Sequence, residues 1–174
     1  VGVDIFFVIS GFLISGILIK EAQTGRFSIL TFYQRRVRRI FPALILVLLF
    51  CSVLAWFILL PDEYQQLGKH VLSGVGFVAN LALWAESGYF DTAAEAKPLL
   101  HLWSLGVEIQ FYLLVPVLFW IFERWKPAYT LLLVGSALLC FIVVGISPKT
   151  SFFWLPTRLW QFLIGYGVAT YVPV

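Results

Sequence analysis

The sequence predicts an all-α fold, a polytopic bundle of transmembrane helices. Hydrophobic residues make up 61% of the 174 residues and charged residues only 12%, whereas about a quarter of the residues in soluble domains are charged. Several apolar runs approach the length of about 20 residues that a helix needs to cross a bilayer. We therefore expect an integral membrane protein with about five spans and one further segment that is re-entrant or interfacial.

The first predicted helix covers residues 5–19 and is short for a span, so we expect it to start at or before Asp4. At about 100° per residue, Asp4 and Ser10 point about 120° apart, whereas Asp4, Gly11 and Ser15 share a face. Small residues let a second helix approach closely, so packing is the predicted role of Ser10, Gly11, Ser15 and Gly16. Asp4 itself is a candidate for a helix cap, an ion pair or a functional site.

A polar connection is predicted over residues 20–39, and it contains the segment FYQRRVRR. The positive-inside rule places this basic segment in the cytoplasm, where it can anchor the chain at anionic lipid. The planar donors of arginine also match phosphate oxygens, so the segment is a candidate site for a phosphorylated cofactor. The candidate residues are Tyr33, Arg35, Arg36, Arg38 and Arg39, of which Arg35, Arg38 and Arg39 share one helical face.

The next span is predicted over residues 40–60, with Pro42 in its first turn. Residues 71–85 are apolar but short, which leaves two topologies open: they span the membrane, or they are re-entrant or interfacial. The second alternative is preferred because the charged residues of segment 86–100 are mainly acidic, which suits the outer side of the membrane. The short segment 123–126 carries two basic residues and suits the cytoplasm.

A polar stripe marks the span predicted over residues 102–122. His101, Ser104, Glu108 and Tyr112 recur at spacings of 3, 4 and 4, so they share one helical face. A carboxylate inside a bilayer is costly unless it faces a cavity or a partner, which makes Glu108 a candidate functional group. The alternative is a structural hydrogen bond between helices.

Two further apolar runs, residues 129–147 and 159–172, complete the predicted spans. Cys51 and Cys140 lie within apolar runs without the spacing of metal ligands, so we expect no metal site. The net charge of +3 comes mainly from the basic segment near the membrane. It gives no support for a nucleic-acid partner.

Four stretches together resemble, in order and approximate separation, the membrane acyltransferase-3 family of bacterial O-acetylases. They are VGVDIFFVISGFLI from Val1, GRFSILTFYQRRVRRIFPA from Gly25, HLWSLGVEIQFYLLVPVL from His101 and RLWQFLIG from Arg158. The resemblance implies that residues 1–174 are a single, partial transmembrane acyltransferase domain. The sequence contains no Met, so we expect a fragment of a longer protein. The resemblance implies that this fragment lacks the family's first helix and C-terminal helices.

The family transfers an acyl group, usually acetyl, from cytoplasmic acyl-CoA to a hydroxyl group of a cell-envelope acceptor. The resemblance thus implies a bacterial inner-membrane enzyme acting on a polysaccharide, lipopolysaccharide, peptidoglycan or lipid-linked acceptor. It places Glu108 in the catalytic site and the arginines of FYQRRVRR at the coenzyme phosphates. His101, on the same helical face as Glu108, and Asp4, at a membrane boundary, are the further catalytic candidates. A proton-coupled transporter, in which the same three residues relay protons, and a non-catalytic scaffold are the alternatives.

The chain departs from the family pattern at two positions and lacks one expected residue. Ile109 stands where the family usually has a second acid, and Gln161 stands where it commonly has Glu. The catalytic histidine that the family implies lies upstream of the first motif, so we expect the fragment itself to be inactive.

Overall fold

A computed structural model describes residues 2–25, 27–86 and 98–172, and every regular element in these ranges is an α-helix. Four of these helices, α1, α2, α5 and α6, are long and apolar enough to cross a membrane, as the multi-pass prediction requires. The fifth candidate, α8, has 17 residues. The helices are α1 (Gly2–Gln23), α2 (Ile29–Ile58), α3 (Pro61–Val75), α4 (Ala79–Ala85), α5 (Leu102–Arg124), α6 (Pro127–Ile146), α7 (Pro148–Phe153) and α8 (Leu155–Tyr171).

The helices fall into two compact units, and the boundary lies within α5, between Val107 and Glu108. The first unit contains α1, α6, α7, α8 and the greater part of α5. The second unit contains α2, α3, α4 and the first turns of α5.

Close packing of α1 against α8 organises the first unit. A Cβ atom at Gly11 would lie 2.8 Å from Phe162 Cα, and one at Gly165 would lie 2.5 Å from the backbone nitrogen of Phe12. Beside this contact, the Phe162 ring stacks on Phe7 at 4.7 Å and on Phe111 of α5 at 4.3 Å. The predicted packing role of Gly11 is confirmed, because only a residue without a side chain allows this approach.

The predicted connection over residues 20–39 is wrong in extent. Helix α1 continues to Gln23 and α2 already begins at Ile29, so the basic segment lies inside α2. The stretch before Pro42 holds neither Gly nor Pro and includes good helix formers such as Gln and Arg. Pro42 therefore lies in the helix interior, not in the first turn, and membrane helices tolerate such a proline where neighbouring groups satisfy the freed carbonyl.

In the second unit, residues 71–85 are not one helix. The α3 segment runs back along α2, because Tyr64 packs on Trp56 and Phe77 on Phe41, each at 5.4 Å between ring centroids. The helix breaks after Val75, and Phe77 adopts a positive φ of 55° before α4 begins. Neither α3 nor α4 alone is long enough to cross a bilayer. The re-entrant alternative stays a prediction, and the acidic residues of segment 87–97 lie outside the described residues.

The predicted spans over residues 102–122 and 129–147 are confirmed as α5 and α6. The short helix α7 was not predicted. Its first turn is capped by Ser147, whose hydroxyl accepts a 3.3 Å hydrogen bond from the Thr150 backbone N–H. Helix α8 begins four residues earlier than predicted, because Pro156 suits the first turn of a helix.

Candidate functional site

Glu108 lies buried in α5, with 7% of its surface exposed. Its Oε1 atom accepts a 2.6 Å hydrogen bond from the Ser10 hydroxyl of α1 and a second hydrogen bond from the Tyr112 hydroxyl one turn along α5. The contact with Tyr112 confirms the predicted helical stripe at this point. The two donors hold the carboxylate in one orientation, and Ser10 ties α5 to α1.

A second polar group, which we call the Asp4 cluster, consists of Asp4, Arg158 and Gln161. The Asp4 Oδ1 atom accepts 2.8 Å hydrogen bonds from Arg158 Nη1 and from Gln161 Nε2. The guanidinium also donates to the Phe152 carbonyl at 3.3 Å and lies 5.3 Å from the Phe152 ring centroid. Asp4 and Ser10 thus belong to different sites, as their 120° separation predicted.

Gln161 is almost completely buried, with 2% of its surface exposed. Its nitrogen faces the Asp4 carboxylate because only the amide N–H groups can donate to it, which fixes the orientation of the amide. The amide oxygen, Oε1, is buried and has no hydrogen-bond partner among the described residues. From the sequence, Gln161 was notable only as the position of a missing acid, and no partner for it could be predicted.

His101 lies just before α5 and is exposed. Its backbone carbonyl accepts a 3.1 Å hydrogen bond from the Ser104 hydroxyl, whereas no hydrogen bond or ion pair of its imidazole occurs within the described residues. The predicted polar stripe is therefore realised as a side-chain contact between Glu108 and Tyr112, and a catalytic role for His101 stays a prediction.

Three of the predicted arginines are exposed on α2: Arg35, Arg38 and Arg39. They are the members of the segment that share a helical face. Their guanidinium groups have the donor geometry that suits phosphate oxygens. These arginines lie at the surface, and their role in binding the coenzyme stays a prediction.

The other two candidates of the basic segment contact Phe32, whose ring is fully buried. The guanidinium of Arg36 is itself buried and lies 4.8 Å from the Phe32 ring centroid. The Tyr33 ring packs edge-on against Phe32 at 5.4 Å. Arg36 is thus part of the packing of the second unit, because a cation over an aromatic face is attracted by the ring.

A partly buried acid–base pair in the second unit was not predicted from the sequence. His70 of α3 lies with its Nε2 atom 2.6 Å from Glu86 Oε1, at the end of α4, and the His70 side chain is buried. The residues are 16 positions apart on either side of the helix break, so no helical periodicity connects them. The pair closes the α3–α4 turn.

A cavity of about 370 Å³ lies at the end of the first unit where α5 ends and α6 begins. Phe122, Lys126, Tyr129 and Tyr166 are among the residues that line it, and none of the predicted site residues does. Within the described residues, no three His, Cys, Asp or Glu side chains are grouped so that they could hold a metal ion.

Comparison with known proteins gives matches along the whole chain. The sequence model of a family described as an acyltransferase domain matches residues 1–174. An uncharacterized protein of Haemophilus influenzae is 40% identical over 152 residues, which cover 87% of this chain and 62% of that protein. No solved structure matches the chain significantly.

Two curated relatives carry names that state an activity. The O-acetyltransferase OatA of Staphylococcus aureus is 34% identical over 94% of this chain, and the peptidoglycan O-acetyltransferase OatA of Listeria monocytogenes is 31% identical over 97%. The chain spans only 28% and 29% of the length of these relatives. Since the family match covers all of its residues, the chain belongs to the acyltransferase-3 family.

Proposed function

We propose that the protein containing this chain transfers an acyl group, acetyl in the simplest case, from acyl-CoA to a hydroxyl group of a cell-envelope glycan. Membership of the family supports acyl transfer, and the relatives named as O-acetyltransferases support acetyl as the group and a hydroxyl as its acceptor. The name of the Listeria relative makes peptidoglycan the first acceptor to test.

The observation that carries the proposal is the buried carboxylate of Glu108 in a helix long enough to cross a membrane. Such a group is costly within a bilayer and is retained where it serves a site. Its two hydroxyl donors, Ser10 and Tyr112, hold it in one orientation. A carboxylate held in this way is suited to orient a catalytic base or to balance its charge.

The exposed arginines support the donor half of the proposal. Coenzyme A carries three phosphate groups, and Arg35, Arg38 and Arg39 offer guanidinium groups on one face of α2. The positive-inside rule predicts that this face lies in the cytoplasm, where acyl-CoA is available. Arg36 is assigned no part in donor binding, because its guanidinium packs on Phe32.

In the proposed reaction, the acceptor hydroxyl oxygen attacks the thioester carbonyl carbon. A base takes the hydroxyl proton, the C–S bond breaks, and the base returns the proton to the leaving sulfur, so that coenzyme A departs as the free thiol. The resemblance to the family implies that this base is a histidine upstream of Val1. Glu108 is therefore proposed as a positioning residue for that histidine, in a bacterial inner-membrane protein with its acceptor on the outer side.

The test uses the full-length protein in proteoliposomes with acetyl-CoA labelled in the acetyl group and soluble peptidoglycan fragments as the acceptor. Label that passes to the glycan only in the presence of the protein is the expected result. A proton-coupled transporter or a scaffold would leave the glycan unlabelled, and that result would contradict the proposal. Replacing both Arg38 and Arg39 with Ala should raise the KM for acetyl-CoA, whereas Lys126→Ala, which removes another exposed cation, serves as the control.

A further inference from the structure

We propose that the Asp4 cluster binds a hydroxyl group of the acceptor glycan, with the Oε1 atom of Gln161 accepting the hydrogen bond from that hydroxyl. This inference rests on the proposed function and assigns its acceptor subsite. The residues are Asp4, Arg158 and Gln161, which join the first turn of α1 to the first two turns of α8.

The buried amide oxygen of Gln161 lacks a hydrogen-bond donor among the described residues. A buried polar atom without a hydrogen bond costs about 1–3 kcal/mol, and such atoms are rare in native proteins. The amide cannot turn over to satisfy its oxygen, because its nitrogen donates to the Asp4 carboxylate at 2.8 Å. The oxygen therefore needs a donor from outside the described residues.

The charge of the Asp4 cluster determines which kind of hydrogen-bond donor it can bind. The carboxylate of Asp4 and the guanidinium of Arg158 form an ion pair at 2.8 Å, so the cluster has no net charge. Neither an anion nor a cation would gain net attraction from this neutral pair, and the oxygen of Gln161 would repel an anion. A neutral hydroxyl group, which can donate to Gln161, fits this environment.

The position of the Asp4 cluster along α1 predicts the side of the membrane on which it lies. Asp4 stands at the beginning of α1, and the 16 residues from Asp4 to Lys20 span about 24 Å along the helix. The positive-inside rule predicts the Lys20 end to be cytoplasmic, which predicts the Asp4 end to be on the acceptor side.

The cluster can also be reached from outside, because the Asp4 side chain is 42% exposed. Trp154, in the connection between α7 and α8, offers a partly exposed ring four residues before Arg158. An exposed aromatic ring on the same connection is the kind of group that the apolar face of a sugar can contact.

The experiment measures binding of chitotetraose, a soluble N-acetylglucosamine tetrasaccharide, to the full-length protein in nanodiscs by isothermal titration. Gln161→Met keeps the length of the side chain and removes the amide. We expect it to raise the Kd for chitotetraose at least tenfold and to leave the Kd for acetyl-CoA within twofold of the original value. Gln66→Met, at an exposed position of α3, is the matched control and should change neither constant.

Gln161→Glu is the second variant. Two carboxyl groups this close share a proton, so the new side chain can still donate to the Asp4 carboxylate while its other oxygen accepts the hydroxyl hydrogen bond. It should bind chitotetraose within threefold of the original protein, and a tenfold loss in this variant would overturn the proposal even if Gln161→Met fails to fold.

Two other outcomes would also overturn it: no binding of chitotetraose by the original protein, or an unchanged Kd in folded Gln161→Met, which would assign the buried oxygen to a bound water only. Binding of chitotetraose by a protein that transfers no acetyl group to peptidoglycan fragments would instead refute the proposed function and leave the subsite standing.

Discussion

Replacing Gly165 with Ala tests whether the close contact between α1 and α8 holds the first unit together. The added Cβ would clash first with the Val8 carbonyl oxygen and would lie 2.5 Å from the backbone nitrogen of Phe12. Ordinary van der Waals contact begins at 3.4 Å, so the helices must separate locally by at least about 0.9 Å. The obstructing atoms belong to the backbone of α1 and cannot rotate away. Overpacking of this kind costs about 1–3 kcal/mol, and we expect the upper value because the shift also loosens the stack of Phe7 on Phe162.

The assay is unfolding of the full-length protein in mixed micelles with increasing SDS. Gly135→Ala is the matched control, because a Cβ at this helical position of α6 meets no atom within 4 Å. It should stabilise the protein by about 0.5–1 kcal/mol, the usual gain of Ala over Gly in a helix. If Gly165→Ala were as stable as Gly135→Ala, the account of the α1–α8 contact would be refuted.

The remaining predictions concern the second unit. Arg36→Ala should lower the free energy of unfolding by about 1–2 kcal/mol, because it removes the buried cation over Phe32, and should leave the affinity for coenzyme A unchanged. Arg39→Ala should raise the Kd for coenzyme A about fivefold, which corresponds to about 1 kcal/mol, and should leave the free energy of unfolding unchanged. Equal effects of the two variants would contradict the assignment of Arg36 to packing and Arg39 to coenzyme binding. His70→Ala should cost about 1–3 kcal/mol in an unfolding titration, because it leaves the Glu86 carboxylate without its imidazole partner, and an unchanged midpoint would show that the pair does not stabilise the α3–α4 turn.

Periodicity predicted those features that depend on neighbours within one helix. The spacing of four between Glu108 and Tyr112 became a hydrogen bond, and the angle between Asp4 and Ser10 separated their sites. Gly11 was placed on a packing face by the same reasoning. These results follow because a helix fixes which of its own residues lie on one face.

The same reasoning could not give the partners in other helices. Arg158 and Gln161 lie 154 and 157 residues from Asp4, and a face of α1 alone does not tell which helix covers it. Helix propensity also set the length of α2 more strongly than its charge did, so the basic segment became helix where polarity had suggested a connection. Burial then divided the arginines, since only a fold can show that Arg36 packs inward.

Glu108→Gln tests most directly whether the buried carboxylate of Glu108 supports acyl transfer. Glutamine keeps an oxygen that can accept from the Ser10 and Tyr112 hydroxyls, so the helix contacts remain while the charge is lost. We measure acetyl transfer from acetyl-CoA to glycan by the full-length protein, with Glu123→Gln at the exposed end of α5 as the control. We expect the rate of acetyl transfer to be about a hundredfold lower for Glu108→Gln at unchanged stability. A rate equal to that of Glu123→Gln would contradict the role of Glu108 in acyl transfer.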